Sequence, residues 1–300
     1  MFWLRGIRQG FLCVLTFAAM TQHPLVTTGW LAQHLSDPHL RIIDIRGHVA
    51  PPTDPLPHYF NHRDDYLTNH IPRAAFVDWV HEITDPADPR HARIAPPARF
   101  AEAMQRAGVQ NDSFVVAYDD AGGLFAARLW WALNYYGHSQ VAVLDGGWQK
   151  WVGEGQTVTA EIVLPPATTF TPRPQVEWIR FAEHVANRTV QTALLDLRSP
   201  AEYEGQSSRA RRAGHIPGAL NWPRSTLNAA DGTLLPAGEL RRRLAELGVS
   251  DEAQPIITYC NAGVSASMGL LALRVAGFRN SAIYDGSWKD WGNDESRPIV

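Results

Sequence analysis

At 300 residues the chain exceeds one average domain of about 100–200 residues, and 45% apolar against 19% charged side chains suits a sizeable core rather than disorder. Its 27 basic and 30 acidic side chains leave a net charge of −3, which excludes a basic nucleic-acid binder. Two cysteines, Cys13 and Cys260, exclude a disulfide framework and a four-cysteine zinc site.

The N-terminal stretch 1–36 contains no Asp or Glu. Arg5 and Arg8 precede an apolar run from Phe11 to Met20, shorter than the ~20 residues a membrane span needs. Residues 1–20 read either as an extension ahead of a true start at Met20 or as a weak export signal. The first reading puts the protein in the cytoplasm, the second in the periplasm or outside. Cys13 lies inside this run and reads as packing or as lost on processing.

From there the chain repeats itself. Arg41-Ile-Ile-Asp-Ile-Arg46 returns as Leu194-Leu-Asp-Leu-Arg198, and Asn69-His-Ile-Pro-Arg-Ala74 as Gly214-His-Ile-Pro-Gly-Ala219. Phe114–Tyr118 returns as Pro255–Tyr259, and Asp145-Gly-Gly-Trp148 as Asp285-Gly-Ser-Trp288. The offset falls steadily, from 152 residues (Asp44 to Asp196) to 145 (His70 to His215) to 140 (Asp145 to Asp285). Collinear matches of this kind mean duplication, with longer loops in the first copy. The division is a first domain over 21–155, a Pro- and Thr-rich linker over 156–175, stiff and extended in character, and a second domain over 176–300.

Within each copy, short apolar runs alternate with helical patterns. Ile42-Ile43, Leu194-Leu195, Phe114–Tyr118 and Ile256–Tyr259 are buried strands of the parallel-sheet kind. Leu124–Tyr136 and Ser265–Ala276 read as helices stopped by Gly137 and Gly277. The expected fold class is α/β, two tandem domains, each a mostly parallel sheet flanked by helices, with ligands at the carboxyl ends of the strands.

The copies disagree at one strand end. Tyr118-Asp119-Asp120-Ala121-Gly122 stands opposite Tyr259-Cys260-Asn261-Ala262-Gly263. Cys260 thus follows a buried strand and precedes a short loop that opens a helix. Inward amide N–H groups and the helix dipole there favour a thiolate, and Gly263 permits the tight turn. Ser265 is of helix-capping type. Cys260 is therefore read as the nucleophile.

These residues resemble the tandem-domain rhodanese family, the thiosulfate and 3-mercaptopyruvate sulfurtransferases, over about Leu25 to Trp291. The motifs that carry the resemblance are Gly214-His-Ile-Pro-Gly-Ala219, Val116-Ala-Tyr-Asp-Asp-Ala-Gly122, Leu144-Asp-Gly-Gly-Trp148 and Cys260-Asn-Ala-Gly-Val-Ser-Ala266. The resemblance implies an inactive first domain with Asp119 at the cysteine position. It also implies a ping-pong cycle in the second domain, in which Cys260 accepts sulfur as a persulfide and passes it to a thiol or cyanide. The amides of Asn261, Ala262, Gly263, Val264 and Ser265 would hold the persulfide, Arg198 would anchor an anionic donor, and His70 is a candidate for proton transfer. No metal and no organic cofactor is called for. The neutral loop is nearer the family's mercaptopyruvate pattern, Cys-Gly-Ser-Gly-Val-Thr, than its thiosulfate pattern, Cys-Arg-Lys-Gly-Val-Thr. It lacks the serine of the former at Ala262, however, and Glu202 stands where the family often has a second arginine.

Alternatives keep parts of this picture. Arg198 could instead pair internally with Asp196 or Glu202, Arg209, Arg211 and Arg212 could replace the charge missing at Glu202 or be a solvated surface loop, and Trp222 could wall the cleft or simply pack. A sulfur carrier or redox-sensing module would keep Cys260 without turnover. A cysteine phosphatase would need an arginine after five intervening residues, where this chain has Ala266.

Overall fold

The computed structural model describes residues 23–88 and 93–300; the expectations placed on 1–20 and Cys13 lie outside them. The first domain runs β1 (Leu25–Val26), α1 (Thr28–His34), β2 (Leu40–Asp44), β3 (Gly47–Val49), β4 (Tyr59–Asn61), α2 (Arg63–Thr68), β5 (Ala74–Phe76), α3 (Pro97–Arg106), β6 (Phe114–Tyr118), α4 (Leu124–Tyr135), β7 (Val141–Leu144) and α5 (Gly147–Gly153). Its main sheet has the order β1-β7-β6-β2-β5, every pair parallel. Every residue of β6 is buried, as a central parallel strand covered on both faces requires. β3 and β4 form a separate antiparallel hairpin without counterpart in the second domain.

The second domain runs β8 (Ile179–Arg180), α6 (Ala182–Ala186), β9 (Ala193–Asp196), α7 (Pro200–Tyr203), β10 (Ala219–Asn221), α8 (Ala237–Glu246), β11 (Ile256–Tyr259), α9 (Val264–Ala276), β12 (Ser281–Tyr284) and α10 (Ser287–Trp291). Its sheet, β10-β9-β11-β12-β8, is also all parallel. Taken from the other edge this is the first order again, β11 standing for β6 and β9 for β2. The register agrees as well, since Asp44 lies opposite Tyr118 and Asp196 opposite Tyr259.

Helices α4 and α9 are buried almost all round and pack on each other at the joint between the domains. They need no polar face because sheet lies on one side and the partner helix on the other. One apolar cluster therefore runs through both domains, joining Phe125 and Trp131 to Leu270 and Leu273. The segment 156–175 lies along the first domain: Thr159 bridges to His70, Phe170 is buried, and Thr168 Oγ1 donates to the carbonyls of Gln105 and Val109. No helix among the described residues is long and apolar enough to cross a membrane.

Candidate active site between the domains

Cys260 is the first residue after β11 and only 3% exposed. It lies on a cleft of about 340 Å³ walled by Val49, Tyr59 and Leu124 from the first domain and by Leu197, Arg224 and Val264 from the second. Four residues, 260–263, connect β11 to α9. Gly263 adopts a left-handed φ of 78° and caps α9 at its N-terminus, so the helix begins at Val264. Ser265 is thus the second helical residue, not the cap its side chain suggested, because the turn is completed by the glycine backbone.

The loop is held from the segment that follows β12. Ser287 Oγ accepts the N–H groups of Cys260 at 3.1 Å and Gly263 at 3.2 Å, and donates to the Tyr284 carbonyl at 2.8 Å. Trp288 N donates to the Cys260 carbonyl and Lys289 N to that of Asn261. Asn261 Nδ2 donates to Glu202, which Ser199 also holds at the start of α7. The carbonyls of residues 260 and 261 are thereby turned toward α10. Among the described residues, the N–H groups of Asn261, Ala262, Val264 and Ser265 meet no protein acceptor. Gly263 N does not belong with them, because Ser287 takes it.

The first domain shows the same place filled. Asp119 Oδ1 accepts from Ala121 N and Gly123 N, and Oδ2 from Phe125 N and Ala126 N, at 2.7–2.9 Å. Burial pushes its carboxyl above the ordinary range, opposed by those N–H donors. This carboxylate occupies the anion nest that its own loop and helix create.

Arg198 lines the cleft and is tied to Asp196. Its Nε and Nη2 hold Asp196 at 2.6–3.0 Å, Nη2 also reaches the Gly214 carbonyl, and the guanidinium lies 4.4 Å from the Trp288 ring centroid. Arg46 makes the same arrangement with Asp44, the Asn69 carbonyl and Trp148. A pair built identically in the copy without a cysteine is a fold element, the internal pairing that was the alternative for Arg198; the residue nevertheless lines the cleft beside Cys260, and among the described residues its Nη1 has no partner. His70 is also displaced. It is fully buried, with Nδ1 on the Tyr66 carbonyl at 2.7 Å, Nε2 on that of Glu161 at 3.1 Å and its ring stacked on Tyr66. It does not line the cleft, because the linker strand covers it. Trp222 is buried in the core rather than walling the cleft.

Three further cations gather here, of which the sequence pattern suggests only Arg209. Arg209 lines the cleft and donates to the Ala50 carbonyl of the first domain, so the 209–212 loop is not simply solvated. Arg224 lines it too. Burial lowers its pKa, Asp119 and Cys260 face it, and its guanidinium has no hydrogen-bond or ion-pair partner among the described residues. Lys289, half-buried in α10, has its Nζ 4.6 Å from the Tyr59 ring centroid, and burial followed by the charge of Arg209 pulls it down to about 8. A sequence signal does exist for Ser287: the two Asp-Gly-x-Trp motifs differ there, with Gly147 in the first copy.

The domain joint touches this loop directly. Arg128 of α4 pairs with Asp285 at 2.6 Å, both buried, and Asp285 also accepts Ile94 N at 2.8 Å. A Cβ at Gly263 would lie 2.6 Å from both Arg128 Nη1 and Asp285 Oδ1. In the mirrored position Asp145 accepts Leu234 N at 2.8 Å.

Comparison with known proteins agrees with this geometry. The model of the Rhodanese-like domain matches residues 27–154 and 180–294. Sulfur carrier protein TtuD of Thermus thermophilus is 34% identical over 295 residues, spanning 93% of this chain and 97% of its own. Thiosulfate sulfurtransferase of Mus musculus is 32% identical over 279 residues, spanning 89% and 91%. The crystal structure of SseA from Escherichia coli, described as a 3-mercaptopyruvate sulfotransferase, superposes with a TM-score of 0.77 at 32% identity, covering 89% of this chain and 99% of that one.

Proposed function

The chain belongs to the rhodanese family and is a sulfurtransferase, and from that premise we propose that it moves a sulfane sulfur from 3-mercaptopyruvate to a small thiol or cyanide through a persulfide on Cys260. The observation that carries this reading is the set of amides without acceptors beside Cys260, those of Asn261, Ala262, Val264 and Ser265 among them. In the first half-reaction the thiolate attacks the donor sulfur and becomes Cys260-S-S⁻. The outer sulfur then receives the N–H groups of Asn261, Ala262, Val264 and Ser265, at the positive end of α9. Gly263 contributes the turn. In the second half-reaction the acceptor removes that sulfur and restores the thiolate.

The donor is assigned from the walls. A keto acid has a carbon body for Val49, Leu124 and Leu197 to cover and a carboxylate for Arg224, whose guanidinium is otherwise unpaired among the described residues. Arg209 and Arg224 supply cationic charge that the neutral loop lacks, so they also favour thiosulfate as the second reading. The chemistry needs Cys260 reduced, which suits a cytoplasmic location.

Paired steady-state kinetics on the two donors with cyanide as acceptor decide between them. We expect kcat/KM for mercaptopyruvate to exceed that for thiosulfate by at least about tenfold, which corresponds to about 1.4 kcal/mol. The reverse order assigns thiosulfate. A persulfide on Cys260 with no second turnover on either donor would assign a carrier, the role named for the Thermus relative.

A further inference from the structure

The two donors differ in what they require of the protein. Thiosulfate leaves as sulfite once the Cys260 thiolate takes its outer sulfur, and no proton is needed. Mercaptopyruvate leaves as an enolate, because the electron pair of the broken carbon–sulfur bond moves into the C2–C3 bond and onto the carbonyl oxygen. That leaving group needs a proton donor. The loop has no hydroxyl at Ala262, the nearest being Ser265 in the first turn of α9, and His70 is sealed under the linker.

The structure provides a pair in its place. Tyr59, on the hairpin peculiar to the first domain, lines the cleft with Cys260. Lys289, from the segment that holds the loop, donates from Nζ to the Tyr59 hydroxyl. The Arg209 side chain lies beside the same hydroxyl. A phenolic oxygen that accepts from cations keeps its own proton for another acceptor, and burial keeps Tyr59 protonated well into alkali.

We propose that Tyr59, recharged by Lys289, protonates the enolate oxygen of the departing pyruvate. The inference rests on the mercaptopyruvate reading above. The thiolate of Cys260 forms an S–S bond with the donor sulfur, which at first keeps its hydrogen as Cys260-S-SH and loses it to water as the persulfide anion settles among the loop amides. The C3–S bond breaks, its electron pair becomes the enolate, and Tyr59 gives that oxygen its proton. Lys289 gives one to Tyr59 and recovers one from water, and the released enol tautomerises in solution. Lys289 faces Tyr59, Arg209, Asp88 and Cys260, and it titrates near pH 8. The relay is therefore charged below about pH 8 and empty above it.

The test is initial-rate kinetics on both donors, across pH, for the full chain and for Tyr59→Phe, Lys289→Met and Lys289→Arg. For Tyr59→Phe we expect the ratio of mercaptopyruvate to thiosulfate kcat/KM to fall by about 10²-fold, in line with general acid catalysis. The wild-type mercaptopyruvate profile should decline around pH 8; that decline disappears in Lys289→Met and moves upward in Lys289→Arg. An unchanged donor ratio, or equal losses on both donors, overturns the relay while leaving the donor assignment standing. A wild-type protein that releases no pyruvate from mercaptopyruvate overturns both together.

Discussion

The two domains pose a controlled experiment on one scaffold. Strand order, register, the Asp-Arg-Trp unit and the His-Ile-Pro turns are shared, yet one strand ends in Asp119 and the other in Cys260. The difference is not a single exchange. The first loop spends five residues between strand and helix, 119–123, and the second spends four, 260–263. The first has Gly147 where the second has Ser287, and a Cβ at Gly147 would lie 2.4 Å from the Asp119 carbonyl oxygen. In one domain the anion nest is satisfied by the chain itself. In the other it is left open beside a sulfur, with a serine hydroxyl tying down the loop amides that the nest does not use. The two copies therefore differ in what the loop leaves unsatisfied as much as in the residue that ends the strand.

The most severe way to break that contrast is to move the nucleophile. Cys260→Ala is expected to remove sulfur transfer by at least about 10⁴-fold, since a covalent carrier has no substitute. Its Tm should change by no more than about 4 °C, because the truncation is small. Adding Asp119→Cys to that variant should not restore turnover: its loop is a residue longer and Gly147 offers no hydroxyl to hold it. Cyanide-dependent thiocyanate release from the double variant would show that the sulfur alone makes the difference.

A subtler change converts the second copy toward the first. Ser287→Gly removes the oxygen that accepts from Cys260 N and Gly263 N, freeing two buried amides at a cost of about 1–3 kcal/mol. Ser287 sits at a positive φ of 53°, which glycine adopts without strain. The expected result is roughly a tenfold loss of persulfide formation in single-turnover kinetics, with a smaller loss of stability. Unaltered single-turnover rates would mean that the loop holds its shape without the staple.

Much of this contrast is legible in the order of the amino acids. Collinear repeats expose the duplication, and the continuous apolar run Phe114–Tyr118 is the observed β6. The Cys260–Asp119 difference points to a strand end that opens on the cleft between the domains. What the sequence conceals depends on packing between domains. Tyr59 lies in a Pro-rich insertion, Lys289 in a motif marked by its Asp and Trp, and Arg224 in a short 3-10 turn. None of them is near Cys260 along the chain, and no periodicity joins them. Arg198 is legible only in part, for a different reason. Its place at a strand end suits an anion anchor, but Arg46 occupies the same place in the copy lacking a cysteine. Comparing the copies at that position, as at Cys260, marks its pair with the aspartate as part of the fold, while Arg198 itself still lines the cleft.

The smallest expected effect tests how charge is shared between loop and cleft. Ala262→Lys brings the loop nearer the family's thiosulfate pattern and should raise thiosulfate efficiency relative to mercaptopyruvate. Arg209 and Arg224 already line the cleft, and a third cation there is repelled by both, so the gain from attraction to a dianion is partly offset. A shift of about threefold in the donor ratio is expected, or about 0.6 kcal/mol, rather than a reversal. Repeating the substitution in Arg224→Met separates the contributions: if Arg224 holds the charge that the loop lacks, the lysine should have a larger effect once that guanidinium is gone. Equal shifts in both backgrounds would place Arg224 outside donor recognition and leave the apolar walls as the basis of preference.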